Sequence, residues 1–176
     1  MTSSDGNTDK RAKVNLKLER SAARLAAVQA LYQVASSEAD YTKVVRDFLH
    51  GRLGGIAISE DPDTEVETSV KLADMHQATF SSIVSEAIAR QDDIDDMINA
   101  NLSAGWPKDR LELIVRSILR AAIAELLGAI EAPAKVTISE YVDITHAFYS
   151  GTEPKMVNAV LDKVARVLRG QDLAAS

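Results

Sequence analysis

Between Leu111 and Leu127 the apolar residues Leu111, Ile114, Val115, Ile118, Leu119, Ala122, Ile123, Leu126 and Leu127 recur three and four positions apart. A strand would bury every second residue, so this spacing excludes a sheet and requires an amphipathic helix. The stripe is wide, which implies packing against several neighbours at once. Every other apolar pattern longer than about ten residues has the same period. The chain therefore reads as all-α, with strands absent.

The same period places the other elements. A long first helix runs from Lys13 to about Ser36 with Leu25, Val28, Leu31, Tyr32 and Ala35 on one face, and no Gly or Pro interrupts it. A shorter helix carries Tyr41, Val44, Val45, Phe48 and Leu49 and stops at Gly51, Gly54 and Gly55. Ile56 to Asp63 reads as a loop, and Thr68 to Arg90 as one helix with room for a bend. Asp92, Asp93, Asp95 and Asp96 open the next, where acids suit the positive end of the helix dipole. After Pro133, Thr137 and Glu140 stand in capping-box spacing at the start of a helix with Ile138, Tyr141, Val142, Thr145 and Phe148 on its face. Gly151 ends it, and Thr152 caps a last helix that has Pro154 in its first turn and runs to Gly170. About seven helices in a compact bundle result, one domain over residues 13–170. Residues 1–12 are expected to be a disordered leader and 171–176 a disordered tail.

Composition removes most chemistry. With 176 residues the chain is long enough to bury a core without staples. It has no cysteine, which excludes disulfides, zinc–thiolate sites and thiol nucleophiles. Its three histidines, His50, His76 and His146, fall on different helices with no ligand spacing and read as surface or helix-end residues. The run Asp92–Asp96 lacks the glycine and distal glutamate of a calcium loop. Gly51–Gly55 lacks the Gly-Lys-Ser/Thr of a phosphate loop. No catalytic residue, metal site or cofactor is expected, and no segment is apolar enough to span a membrane. The N-terminus has no secretory pattern, so a cytoplasmic location is expected.

The charge is unevenly placed. The net charge is −6, yet Lys10, Arg11, Lys13, Lys17, Arg20 and Arg24 against Glu19 give one short segment +5 and leave −11 on the rest. On a helix, Lys13, Lys17, Arg20 and Arg24 share a face and suit successive phosphates of a nucleic-acid strand. A merely solvated face would give the same run. A second candidate is the turn before the last helix, where free backbone N–H groups and Lys155 suit a phosphate. Asn158 suits a base edge or a neighbouring helix. Phe148 reads as core and Tyr149 as more open, available to stack on an unpaired base.

Several strings together resemble a known family. Ala23-Arg24 with Val28-Gln29-Ala30-Leu31-Tyr32, then Arg116-Ser117-Ile118-Leu119-Arg120 with Glu125-Leu126, Pro133-Ala134-Lys135-Val136 with Glu140, and Lys155 with Val157-Asn158-Ala159-Val160-Leu161-Asp162-Lys163 are similar to the NusB family of transcription antitermination factors. The resemblance runs from about Arg20 to Arg169. It implies two small helical lobes and a non-enzymatic factor that binds boxA-type single-stranded RNA of ribosomal RNA transcripts. It further implies a NusE-like small-subunit ribosomal protein as partner, within the RNA polymerase antitermination complex. On this resemblance Arg20, Arg24 and Lys155 match family RNA contacts, and Tyr32 matches a tyrosine near the partner surface, although its place on the apolar face suits a buried role as well.

Three departures accompany the resemblance. Ser21 and Ala22 interrupt what is commonly a tight arginine cluster, and the remaining cations are moved upstream. Met156 stands where an aromatic is usual, offering a soft apolar contact instead of stacking. Thr152 stands where an acid is expected. The expected RNA set is therefore Lys13, Lys17, Arg20, Arg24, Lys155, Met156 and Asn158, with Arg20 and Arg24 dispensable for folding. The competing readings are a protein-interaction or self-associating module, such as a homodimer, with weak or lost RNA binding, and a helical domain of an RNA cytosine methyltransferase. The second would need its cofactor motif and cysteine nucleophile elsewhere.

Overall fold

The computed structural model describes residues 5–51, 56–60, 67–71, 75–128 and 132–174. Among them are eight α-helices and one hairpin: α1 (Asp5–Ser37), α2 (Tyr41–Leu49), the strands β1 (Ile56–Glu60) and β2 (Glu67–Lys71), α3 (Gln77–Ala89), α4 (Gln91–Asn101), α5 (Leu113–Leu127), α6 (Ala134–Phe148), α7 (Glu153–Leu168) and α8 (Gly170–Ala174). The wide stripe is α5, and it is the central helix. It packs on α1 and α3 on one side and on α6 and α7 on the other, while α4 touches α5 and α7. Four consecutive residues, Ala121 to Ala124, are buried, which three alanines allow because neighbouring helices can approach closely all round. Ile118, Leu119 and Ile123 are fully buried, each contributing about 1.5–3 kcal/mol by leaving water.

Local chemistry sets the boundaries. Glu38 ends α1 in the left-handed region at φ 50°, and Gly51 ends α2 at φ 67°, where a side chain would be strained. Asp40 caps α2 by accepting from the Thr42 N–H at 2.9 Å. His76 caps α3 through Nδ1, 3.3 Å from the Thr79 N–H, and its own N–H donates to the Glu19 carbonyl, tying α3 to the middle of α1. At the C-terminal end of α5, Arg169 gathers carbonyls that no helical N–H can reach. Its Nε donates to Leu126 O at 2.8 Å, and its Nη atoms to Gly128 O and Ala132 O at 3.1 and 3.0 Å.

The structure departs from the sequence expectations in several elements. Instead of a loop at Ile56 and a helix from Thr68, β1 and β2 pair antiparallel, from Ile56↔Lys71 to Glu60↔Glu67. Each strand is five residues long, below the window in which a period is decisive, and Thr68 and Val70 are β-branched. Gly54, Gly55, Leu72 and Ala73 lie outside the described residues, as does the stretch 61–66. Helix α1 begins at Asp5, inside the expected leader, and α8 runs from Gly170 into the expected tail. At α6 the cap position is Pro133, and no capping box forms: Thr137 is buried, and Glu140 accepts from Ser21 and Arg24 of α1. Thr152 occupies the cap position of α7 without a side-chain cap bond.

Candidate functional site

Only part of α1 belongs to the bundle. Residues 8–18 are all exposed, whereas Ala23, Ala26, Ala27 and Ala30 are buried, so the helix projects about half its length beyond its neighbours. The face that carries Lys13, Lys17 and Arg20 continues inward, and at Arg24 it has entered the core.

Arg24 is 3% exposed. Its Nε lies 3.0 and 3.1 Å from the two carboxylate oxygens of Glu125, its Nη2 donates to Glu125 Oε1 at 2.7 Å, and its Nη1 lies 3.3 Å from Glu140 Oε2. Glu125, itself buried, also accepts from the Tyr141 hydroxyl at 2.9 Å and the Thr137 hydroxyl at 3.4 Å. Burial disfavours the guanidinium charge, but the hydrogen bond and charge of Glu125 outweigh it and hold Arg24 above its ordinary value. Burial and the adjacent Glu125 likewise push the Tyr141 hydroxyl well up. The expected phosphate contact at Arg24 is thus corrected: its charge is spent on fastening α1 to α5 and α6. A signal for this lay in the sequence, since Glu125 falls inside the apolar stripe of α5 and a charge there requires a buried partner.

Where α1 leaves the bundle it forms one wall of a groove of about 600 Å³, the other wall being the start of α6. Lys13, Lys17 and Arg20 line it from α1, and Lys135 from α6. Lys135, distant in sequence, was not among the expected RNA contacts. Lys17, Arg20 and Lys135 are exposed and have no ion-pair partner among the described residues, while Lys13 is held by Asp9 at 2.7 Å. Leu16, Pro133 and Val136 add apolar surface, and Glu140 and Arg24 lie at its inner end. Cations from two helices therefore converge on one apolar-lined channel, an arrangement suited to a polyanion whose non-charged parts contact the floor.

A second groove, of about 850 Å³, opens at the other end of α6. It is lined by Tyr32, Gln33, Phe48, Leu113, Ile114 and Phe148 among others. Because α1 and α6 run side by side in the same direction, the two grooves are about 20 Å apart along α6, at 1.5 Å per residue from Lys135 to Phe148. Tyr32 is 41% exposed and so is not part of the buried core. Phe148, expected in the core, is 48% exposed and forms part of the groove wall. Tyr149 is half-buried and its hydroxyl donates to Glu112 Oε2 at 2.6 Å; burial and that hydrogen bond push its ionisation well above the ordinary tyrosine range.

The start of α7 fits its expected role less well. Lys155 and Asn158 are exposed, but they line neither groove. Met156 is buried, so the soft RNA contact expected there is replaced by a core contact: position 156 faces inward beside Val157 and Val160. The helix N-terminus already has an acid, Glu153, in its first turn, and its carboxylate folds back so closely that a Cβ on Gly151 would lie 2.8 Å from it. Among the described residues no group of His, Cys, Asp and Glu could hold a metal ion, and no helix is long and apolar enough to cross a membrane. The Asp92–Asp96 run is divided: Asp92 and Asp93 are exposed in the first turn of α4, while Asp95 binds the Arg120 guanidinium at 2.7 and 2.8 Å.

Comparison with known proteins adds an independent line. Residues 21–166 match the model of the NusB family. The transcription antitermination protein NusB of Rhodospirillum rubrum is 48% identical over 159 residues, covering 87% of this chain and 86% of that protein. The protein of the same name from a Bradyrhizobium species is 42% identical over 167 residues, with 95% and 90% covered. Among solved structures, T. maritima NusB superposes with a TM-score of 0.64 at 26% identity, over 88% of this chain and 96% of that one. A structure of the antitermination factors NusB and NusE in complex with dsRNA contains a chain of the same fold, at a TM-score of 0.60 and 20% identity over 84% and 96%.

Proposed function

The chain belongs to the NusB family of non-enzymatic transcription antitermination factors, and on that premise we propose that it is an RNA-binding adaptor with two working surfaces. The groove between α1 and α6 holds boxA-type single-stranded RNA of ribosomal RNA transcripts. The groove around Tyr32 and Phe148 docks a NusE-like ribosomal protein, and the pair acts in the cytoplasm within the RNA polymerase antitermination complex.

The observation that carries the RNA assignment is the convergence of Lys17, Arg20 and Lys135, exposed and unpaired among the described residues, on one groove. Cations with no acid partner gain most from a phosphate, since each can release a condensed counterion without breaking a bond of its own. That a chain of the same fold was crystallised with NusE and dsRNA supports an adaptor that meets both RNA and a NusE-like protein. Exposed Tyr32 and Phe148 flanking an apolar recess supply the aromatic anchors typical of a protein interface. Lys155 and Asn158, being exposed, extend the RNA path as peripheral contacts.

The test is a boxA-type RNA pull-down with and without the NusE-like protein. RNA retained by the chain, and retained better with the partner, is the expected result. No retention in either arm overturns the proposal and leaves the protein-interaction module as the surviving alternative.

A further inference from the structure

Phosphate binding alone does not account for Glu140, a carboxylate inside a cationic groove. It stands one turn beyond Val136 on the same face of α6 and lines the groove with it. Its Oε2 is fully engaged, accepting from the Ser21 hydroxyl at 2.6 Å and from Arg24 Nη1 at 3.3 Å. Its Oε1 accepts no hydrogen bond from the protein among the described residues. Nor is Oε1 sealed from the groove: the side chain is 18% exposed, and among the described residues the one buried side-chain polar atom without a partner is Asn99 Oδ1. The groove thus carries, beside Ser139, Val136 and Pro133, a carboxylate oxygen that no protein group among the described residues engages, on a side chain held in place by two hydrogen bonds.

We propose that Glu140 is a base-reading residue: the groove takes one unpaired nucleotide whose exocyclic amino group donates to Oε1, while neighbouring phosphates rest on Lys17, Arg20 and Lys135. Adenine, cytosine and guanine carry such an amino group and uracil does not, and carboxylate recognition of the cytosine amino group is a chemically natural pairing. The base must be unpaired, because only then is its edge free to enter a protein groove. Since the acceptor is fixed before RNA arrives, little side-chain freedom is lost on binding. The proposal rests on the RNA-groove reading above and adds selectivity to it.

The neighbours of Glu140 make the test sharp. In Glu140→Gln, Arg24 can only donate, so it holds the amide oxygen inward and turns the amide N–H₂ toward the groove. An acceptor becomes a donor, and the base preference should shift from amino-bearing toward carbonyl-bearing. Binding of a boxA-type RNA is measured with each cytidine replaced in turn by uridine, each adenosine by purine riboside and each guanosine by inosine, for the parent, Glu140→Gln, and the combined Lys17→Gln, Arg20→Gln and Lys135→Gln variant. The parent should show one position where loss of the amino group weakens binding by about tenfold, the discrimination of a single base-edge contact. Glu140→Gln should abolish or reverse that preference while leaving the other positions unchanged. If the parent shows no such position, or Glu140→Gln keeps it, Glu140 only pairs with Arg24 and the inference is overturned, with the RNA groove intact provided the cation variant weakens every RNA alike. If the cation variant binds as the parent does, the groove reading itself fails and the inference falls with it. If Glu140→Gln folds poorly, Glu140→Asp takes its place: it keeps a carboxylate for Arg24, withdraws the acceptor from the groove, and should lessen the same preference, whereas an undiminished preference overturns the inference.

Discussion

Replacing Arg24 by Gln separates structure from RNA binding at a position where the sequence alone suggests RNA. Glu125 is 1% exposed and would lose three contacts of 2.7 to 3.1 Å, keeping only the hydroxyls of Tyr141 and Thr137. Removing one member of a buried ion pair costs about 3–5 kcal/mol, because the other charge is left in a poorly solvating interior. For a chain of this size each kcal/mol moves the melting midpoint by about 2–4 °C, so a fall of about 6–20 °C is expected. Adding Glu125→Gln should recover part of the loss, since no orphaned charge remains and the amide oxygen still accepts from Tyr141. Thermal and urea unfolding followed by circular dichroism measure the loss and its recovery. RNA titrations at several salt concentrations, run well below the variant's midpoint, supply the second readout: Arg24→Gln should keep the parent's salt dependence. An unchanged unfolding midpoint, or a salt slope that shrinks as it does for Arg20→Gln, would refute the assignment of Arg24 to the core.

Leu119→Ala, at a fully buried position of α5, should destabilise by about 2–5 kcal/mol through lost burial and a residual cavity, checked by the same urea curves. Tyr141 and Tyr149 both have raised folded-state values, so they remain neutral in the native state where the unfolded chain would ionise. Their contribution to stability is complete below the ordinary tyrosine value of about 10 and is lost as pH rises through the folded values. Stability measured against pH on the alkaline side should therefore fall less steeply for Tyr149→Phe than for the parent, and equal slopes would contradict the hydroxyl's bond to Glu112. Tyr32→Ala should leave the unfolding free energy within about 1 kcal/mol of the parent while weakening binding of the NusE-like partner by about tenfold or more, as measured by calorimetry. Full affinity would remove Tyr32 from the docking surface.

How much of this was legible differs from element to element. The α5 stripe announced itself because apolar residues from Ile114 to Leu127 repeat one period, and both its helix and its central burial follow from that repeat. The β1–β2 hairpin did not, since five-residue strands offer too few alternations to outweigh the helical pattern downstream. For the site, helical spacing correctly put Lys13, Lys17, Arg20 and Arg24 on one face but said nothing of where α1 enters the bundle. That depth is set by tertiary packing, and it divides the face between solvent at Arg20 and core at Arg24. Lys135 was missed for a related reason: its neighbours Lys17 and Arg20 lie more than a hundred residues away in the chain, and only the side-by-side course of α1 and α6 brings them together. Met156 and Phe148 exchanged their expected places because a helix pattern gives a face, whereas exposure at a helix end depends on how far each neighbour extends.

The central claim is that the groove between α1 and α6 binds RNA through its free cations, and the salt dependence of binding tests it most directly. The dissociation constant of a boxA-type single-stranded RNA is measured over a salt series for the parent and for the combined Lys17→Gln, Arg20→Gln and Lys135→Gln variant, at one temperature where both are folded. At roughly 0.7 per phosphate for a single strand, loss of three contacts should lower the log–log slope by about 2 and weaken all RNA sequences alike. These exposed side chains make no ion pair among the described residues, so stability should move by no more than about 0.5 kcal/mol. A variant with the parent's slope and affinity would show that RNA binds elsewhere and contradict the account.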